Sequence, residues 1–200
     1  MTYVWNPTAP TTRSSGQKLI HDFVQSGDMY GWQKSFPKEI ISLYSKNKRF
    51  RTTIDVGACY GFMSYPFALH SDRVIAYEPD KHVIPYLKRN MISFSNFTLH
   101  PVALDNDNRF DDNYPDINDV DLIKIDVDGA ELPILKGMEN TIVRNKPVLV
   151  VEIMIGRLPH VAENRRACFD YLRKLDYNVV DVRMQDMVLI HKDSNYYENN

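Results

Sequence analysis

Apolar residues along this chain form short continuous runs from residue 52 onward, and segments with helical spacing separate those runs. Short apolar runs are typical of strands, whereas apolar positions three and four apart are typical of amphipathic helices. The pattern predicts strands at residues 52–56, 73–77, 98–104, 121–127, 147–153, 178–182 and 187–191. It predicts helices at residues 62–69, 81–91, 131–144 and 160–175. This alternation favours βαβ units and an α/β fold with a mainly parallel sheet.

Two details refine this picture. The apolar runs at residues 122–127 and 148–155 are nearly continuous, as expected of strands that are covered on both faces. A short polar connection joins the final two strands, which favours a hairpin. Pro66, Pro85 and Pro133 lie about one turn inside the predicted helices, so we expect those helices to begin later than the pattern indicates, or to bend.

The first fifty residues differ in character from the rest. Residues 1–17 are rich in Thr, Ser, Pro and Gly, which predicts a mobile arm, and two short helical segments follow before residue 49. We expect an N-terminal arm and helical cap over residues 1–50 and the main domain over residues 51–200, in one globular unit overall. Residues 105–119 form an acidic loop that is long for a compact domain, and is therefore either functional or mobile.

Composition excludes several classes of protein. The formal net charge of −2 gives no global attraction to nucleic acid or to an anionic membrane. No apolar run reaches the roughly 18 residues that a membrane-spanning helix needs, and the N-terminus lacks the apolar region of a secretory signal. Cys59 and Cys168 are too few for a disulfide framework. The sequence predicts a soluble, cytoplasmic protein.

The ends of the first two predicted strands carry the chemistry of a nucleotide-like cofactor site. The first strand ends in Asp55, Gly57 and Gly61, and the second ends about twenty residues later in Glu78. Glycines let a backbone approach a ligand closely, and an acid on the next strand can accept hydrogen bonds from a ribose diol. The spacing is DxGxxxG, and the GxGxxG pattern of nicotinamide-dependent oxidoreductases is missing, which argues against that class.

Further acids follow the other strands. In an open parallel sheet, ligands bind beyond the carboxyl ends of the strands, and those ends meet at one edge. Carboxylates are rarely buried without a partner, so packing alone does not explain them. The candidate segments are residues 55–61, 78–80, 103–105, 126–131 and 152–160.

These motifs resemble the FkbM-type family of class I S-adenosylmethionine-dependent methyltransferases. The resemblance covers about residues 52–155, and its most specific part is IKIDVDGAELPILKGME, which begins at Ile123. It implies a Rossmann-like sandwich with a seven-stranded sheet in the order 3-2-1-4-5-7-6, in which the last strand is antiparallel. It also implies that S-adenosylmethionine is the cofactor.

Carried over by position, the resemblance assigns a cofactor site. The methionine end of S-adenosylmethionine would contact the turn after the first strand. The ribose of the cofactor would contact Glu78 and Pro79, and its sulfonium would lie near Asp126. The turn and adenine-flanking residues would be Asp55, Gly57, Ala58, Cys59, Gly61, Val102, Ala103 and Leu104. The chain departs from the family at Cys59, where a small polar residue such as Asn is expected, and at Asp128, where many relatives have Glu.

Candidates for base or orienting group are Asp126, Lys124, Glu152 and His160. Lys124 and Asp126 lie on one strand face by period-two alternation. Lys124 could instead be a structural residue paired with Asp126 or Asp121, and His160 a surface residue at a helix start. An alternative that we do not favour is a divalent cation held by Asp126, Asp128, Glu131 and Glu152.

The sequence therefore predicts an O-methyltransferase that acts on a hydroxyl of a sugar or another small acceptor. One alternative is a methyltransferase acting on RNA ribose hydroxyls, although the chain has no basic stripe with interleaved aromatic residues. Another is a non-catalytic cofactor-binding scaffold, but such a protein would be expected to lose the acidic residues that are present here. We expect a small-molecule or carbohydrate partner, and neither nucleic acid nor membrane.

Overall fold

The computed structural model describes residues 49–153, 159–183 and 186–194. Its strands are β1 Phe50–Val56, β2 Ser71–Tyr77, β3 Phe97–His100, β4 Val120–Ile125, β5 Val148–Glu152, β6 Tyr177–Arg183 and β7 Asp186–His191. Its helices are α1 Ser64–His70, α2 Ile84–Asn90, α3 Phe110–Asn113, α4 Glu131–Gly137, α5 Glu139–Asn145 and α6 Pro159–Lys174. The predicted N-terminal arm and cap lie outside the described residues, apart from their last two positions.

The described strands form one sheet in the order β3-β2-β1-β4-β5-β7-β6. β1 to β5 pair in parallel, whereas β7 runs antiparallel to both β5 and β6. This confirms the predicted Rossmann-like methyltransferase topology. β6 and β7 pair as expected of the predicted hairpin, from Arg183 opposite Asp186 to Tyr177 opposite His191.

Both faces of the sheet are covered, which explains the nearly continuous apolar runs. Neighbouring residues on β4 belong to different sides of the core, because successive side chains on a strand point to opposite faces. Leu122 packs in a cluster with Phe67 of α1 and Leu87 of α2. Ile123 packs on the other face in a larger cluster that contains residues of α3 to α6. The sheet is therefore buried on both faces, and its carboxyl edge is held in place by packing from both sides.

Two predicted boundaries were wrong. The third strand ends at His100 and not at Leu104. The Asp105 carboxylate accepts hydrogen bonds from the backbone N–H groups of Asp107 and Asn108, and this local turn competes with strand extension. The predicted helix over residues 131–144 is two helices separated at Met138. The acidic loop contains α3, which buries Phe110 completely.

The prolines fit the helices because they lie in first turns. Pro66 and Pro133 are the third residues of α1 and α4, and Pro85 is the second residue of α2. The first four N–H groups of a helix have no partner within the helix, so a missing N–H disrupts nothing there. The predicted later start is confirmed for α1 and α2. Among the described helices, none combines the length and apolar character of a membrane span.

Candidate active site

The turn after β1 packs backbone against backbone on the segment that leaves β4. Gly57 has φ +81°, and a Cβ placed on it would lie 1.8 Å from the carbonyl oxygen of Asp126. The N–H groups of Gly57 and Ala58 both donate to the carbonyl of Tyr77, at 2.9 and 3.1 Å. Only glycine fits this position, because any side chain would collide with main-chain atoms.

The remainder of this turn is left-handed at two further residues. Cys59 has φ +49° and Gly61 has φ +93°. Asn adopts the left-handed region more readily than most residues, which gives a physical reason for the Asn expected at Cys59. The cysteine is half-buried, and its backbone N–H points towards the end of β2. Cys59 is therefore a non-glycine residue that adopts the left-handed conformation in this turn.

Glu78 joins the turn after β1 to the turn after β2. Its Oε2 accepts a hydrogen bond from the Cys59 N–H, and its Oε1 accepts one from the Asp80 N–H, both at 2.8 Å. The residue is only 6% exposed. A carboxylate offers about four acceptor positions, so two remain for a ligand. The Asp80 carboxylate accepts a hydrogen bond from the His82 N–H in the turn that precedes α2, so it does not cap α2 itself, which begins after Val83.

The segment after β3 offers apolar surface beside Glu78. Val102 is 43% exposed and Ala103 is also exposed, whereas Leu104 is 3% exposed and belongs to the core. The side-chain amide of Asn108 donates to the carbonyl of Ala103 and holds this segment in place. Pro79 is exposed on the same edge. Val102 and Ala103 can therefore contact a flat ligand, while Leu104 supports the segment from beneath.

Lys124 is the central cation of the site. Its Nζ donates to the carbonyl of Gly57 at 2.8 Å and lies 3.2 Å from Asp126 Oδ2 and 3.4 Å from Asp55 Oδ1. Burial alone would lower the pKa of Lys124, but the carboxylates of Asp126 and Asp55 outweigh it and hold that pKa above its ordinary value. The charged form of Lys124 is therefore favoured, and this suits the orienting role, one of the two roles predicted for it.

The pairing of Lys124 with Asp121, one of two alternatives, was wrong. Asp121 is bound instead by the guanidinium of Arg51, where β1 and β4 begin. Asp55 is fully buried, and its Oδ2 accepts a hydrogen bond from the Ser64 hydroxyl at 2.5 Å. Asp55 thus has no surface to offer a ligand in this structure, and it acts on the site by fixing Lys124.

Asp126 is the carboxylate that faces outward. Its side chain is 41% exposed, compared with 6% for Lys124. Burial opposes ionisation, but Lys124 and a hydrogen bond from Glu152 hold the pKa of Asp126 below its ordinary value. Burial, the hydrogen bond to Asp126 and nearby carboxylates raise the pKa of Glu152 to about 9. At neutral pH the pair therefore consists of an ionised Asp126 and a neutral Glu152.

Asp186 is a member of this cluster that the sequence analysis missed. It is 6% exposed and lies opposite Glu152 in the β5–β7 ladder. Burial and the nearby charge of Asp126 raise the pKa of Asp186 to about 6. The sequence pattern predicts site acids only at the carboxyl ends of strands. An antiparallel last strand brings its first residue to the same edge, and this was the signal that could have identified Asp186.

Glu131 turns away from the site and holds the loop that follows β4. This loop is left-handed at Asp128, φ +58°, and at Gly129, φ +117°. The Oε1 of Glu131 accepts from the Gly129 N–H at 2.8 Å, and its Oε2 accepts from the Asn164 side chain at 3.3 Å. Within the described residues, no group of three or more His, Cys, Asp or Glu side chains is placed to hold a metal ion. The structure places the backbone of His160 in the first turn of α6, and the prediction for its side chain stays untested.

Comparison with solved structures defines the class to which this fold belongs. A structure titled methyltransferase FkbM from Methylobacillus flagellatus has a TM-score of 0.57 at 20% identity, covering 86% of this chain and 52% of that one. A SAM-dependent methyltransferase from Aquifex aeolicus has a TM-score of 0.52 at 18% identity, covering 77% and 89%. Aeropyrum pernix fibrillarin with bound S-adenosyl-L-methionine has a TM-score of 0.51 at 12% identity, covering 72% and 66%. At these identities the likeness establishes the methyltransferase fold.

A family model also matches part of this sequence. The methyltransferase FkbM domain matches residues 101–179 of this chain, and this match confirms the resemblance to the FkbM-type family. The chain spans about half the length of the Methylobacillus FkbM structure. Among curated proteins, no relative matches it. The domain and the fold together support a methyltransferase.

Proposed function

We propose that this protein is an S-adenosylmethionine-dependent O-methyltransferase whose acceptor is a hydroxyl of a sugar or another small polyol-like molecule. The observation that carries the proposal is the placement of Asp126. Its half-exposed carboxylate is fixed by the buried Lys124, beside the Gly57 turn and at the same sheet edge as Glu78. A cofactor turn, a ribose acceptor and an ionised carboxylate thus share one edge.

The residues of this edge fit S-adenosylmethionine. The remaining acceptor positions of Glu78 suit the two ribose hydroxyls, and the exposed surfaces of Val102 and Ala103 suit the adenine ring. Gly57 and Gly61 leave the turn without side chains at these two positions, so the methionine end of the cofactor can approach the backbone closely. When bound, the cofactor supplies a methyl group on a positively charged sulfur. The negative charge of Asp126 suits that sulfonium.

Asp126 would also bind and orient the acceptor. The acceptor hydroxyl donates a hydrogen bond to the Asp126 carboxylate, which points an oxygen lone pair away from that contact and can receive the hydroxyl proton. Holding two reactants in attack geometry can contribute about 7–11 kcal/mol of the barrier. Lys124 and Glu152 fix Asp126 from two sides, so its position is defined before the acceptor arrives.

The charges of this edge disfavour the RNA alternative. Glu78, Asp126, Asp128 and Asp186 lie at this edge, and the charge of Lys124 is already shared between Asp126 and Asp55. Nucleic-acid affinity depends on cations that neutralise phosphates, and this edge offers a polyanion little attraction. The non-catalytic scaffold is disfavoured because the ionised, half-exposed Asp126 has been kept. A cytoplasmic location stays a prediction.

Calorimetric titration with S-adenosylmethionine, its demethylated product and NAD tests the cofactor assignment. We expect saturable binding of the first two and none of NAD. Glu78→Ala should abolish binding because it removes the ribose acceptor, whereas Glu163→Ala, on the exposed face of α6, should not change it. An acceptor screen that begins with sugars follows, with Asp126→Asn expected to bind the cofactor and lose turnover. Binding of NAD, or unchanged affinity in Glu78→Ala, would contradict the proposal.

A further inference from the structure

A buried carboxylate at the start of β7 reaches the candidate active edge from the opposite direction to the others. Asp186 is the first residue of β7 and pairs directly with Glu152, the last residue of β5. Directly opposed residues of an antiparallel pair project to the same face, with Cβ atoms about 4.5–5.5 Å apart. Asp186 is 6% exposed, so its side chain is enclosed by the protein on the face that it shares with Glu152.

We propose that Asp186 is a positioning residue that favours the neutral form of Glu152 from β7, so that Glu152 donates its proton to Asp126 in a hydrogen bond and Asp126 stays ionised towards the acceptor. The inference rests on the proposed function for the role of Asp126. It adds to that function a residue that contacts neither cofactor nor acceptor.

The charges around Glu152 all favour its neutral form. Asp126 and Asp128 act on it from the segment after β4, and Asp186 acts from β7. Two neighbouring carboxylates do not readily ionise together, so each of these charges favours a proton on Glu152. Burial acts in the same direction and is the largest cause of the raised pKa of Glu152. Lys124 offsets charge at Asp126 and Asp186, so it stabilises the anions around Glu152.

Exposure separates the roles of the three acids. The Asp126 side chain is 41% exposed and can meet an acceptor, whereas Asp186 is 6% exposed and lies beside Glu152 in the β5–β7 ladder. Above pH 6 the Asp186 carboxylate is largely ionised, because its pKa is raised only to about 6. It is therefore an anion over the range in which Glu152, with a pKa of about 9, remains protonated. Asp186 is placed to act through Glu152.

Carbon-13 NMR of carboxyl-labelled protein, without cofactor or acceptor, tests this directly. The Glu152 resonance is assigned by its loss in Glu152→Gln. We expect the Glu152 titration midpoint near 9 in the wild-type protein and about one pH unit or more lower in Asp186→Asn. Asp186→Glu should keep the raised midpoint. Asp170→Asn, which removes an exposed charge from α6, should leave it unchanged.

An unchanged Glu152 midpoint in Asp186→Asn would overturn the inference. So would a wild-type Glu152 midpoint in the ordinary carboxylate range, which needs no variant and therefore decides the matter even if Asp186→Asn fails to fold. Titration with S-adenosylmethionine is measured separately. If the wild-type protein did not bind S-adenosylmethionine but Asp186→Asn lowered the Glu152 midpoint as expected, the proposed function would be refuted. If the wild-type protein bound S-adenosylmethionine but Asp186→Asn left the Glu152 midpoint unchanged, only the role of Asp186 would be refuted.

Discussion

Gly57→Ala tests whether the two loops of the candidate site meet as closely as the structure indicates. The new methyl carbon would lie 1.8 Å from the Asp126 carbonyl oxygen, whereas ordinary contacts begin at 3.4 Å. The loops must therefore separate by roughly 1.6 Å, since packed carbon contacts are most favourable at about 3.5–4.0 Å. The atom that must yield is main chain, and Asp126 N–H donates to the Val56 carbonyl at 3.1 Å, so the displacement reaches β1.

Two penalties add to each other at this position. The left-handed conformation at φ +81° destabilises alanine by about 1–2 kcal/mol, and overpacking typically adds about 1–3 kcal/mol. We expect a total loss of about 2–5 kcal/mol, which lowers the melting temperature of a chain of this size by roughly 4–20 °C. Because Asp126 moves with its carbonyl, we also expect turnover to fall by about 100-fold or more.

Gly129→Ala is the matched control. Gly129 also has a left-handed backbone, φ +117°, but a Cβ there would meet nothing within 4 Å. It therefore carries the backbone penalty without the collision. Thermal unfolding followed by circular dichroism and calorimetric titration with S-adenosylmethionine compare the two variants. If Gly57→Ala unfolded within about 2 °C of Gly129→Ala and bound the cofactor with wild-type affinity, the close approach of the loops would be refuted.

Two further predictions concern the buried charges. Lys124→Met leaves Asp55 buried without its cation, and we expect urea denaturation to show that the free energy of unfolding falls by about 3–5 kcal/mol. Adding Asp55→Asn to this variant should recover part of the lost stability. No recovery would argue against the ion pair. The pKa of Glu152 is raised to about 9 in the folded state, compared with about 4.3 in the unfolded chain, so the native state holds a proton that the unfolded state loses. The contribution of Glu152 to the free energy of unfolding is therefore full below about pH 4.3 and falls as the pH rises towards 9. Glu152→Gln should flatten that decline in urea denaturation at pH 5 to 9, and an equal slope in both proteins would contradict the raised pKa.

Local pattern was enough to predict the strands and the core of the site, whereas the strand order was implied by the family resemblance. Lys124 and Asp126 were expected on one face from period-two alternation, and their side chains lie 3.2 Å apart. Gly57 and Glu78 were placed from strand ends alone, and the Cys59 N–H connects their two turns. The positions of these residues could be predicted because they follow from the two-residue period of a strand and from the convergence of parallel strands at one edge, and both can be read from the sequence.

Features set by contacts between distant segments could not be predicted in this way. The break between α4 and α5 coincides with the carboxylate of Asp111, which accepts from the backbone N–H groups of Asn140 and Thr141 at 2.8 and 3.1 Å. A helix cap supplied from thirty residues away leaves no local pattern. Asp186 was missed for a related reason, since its place at the edge depends on the direction of β7.

The contacts of the site divide its charged residues into two groups, and substitutions in the two groups have different consequences. Asp55 and Lys124 face the protein: they connect β1, the Gly57 turn and the segment after β4, and they have almost no exposed surface. Glu78 and Asp126 each use some of their carboxylate acceptor positions for contacts within the protein, and their remaining acceptor positions can bind a ligand. Substitution in the first group should therefore weaken stability and binding together, because the loops lose their register. Substitution in the second should weaken binding or turnover in a protein that remains folded, and this separation identifies the ligand-facing residues without knowledge of the acceptor.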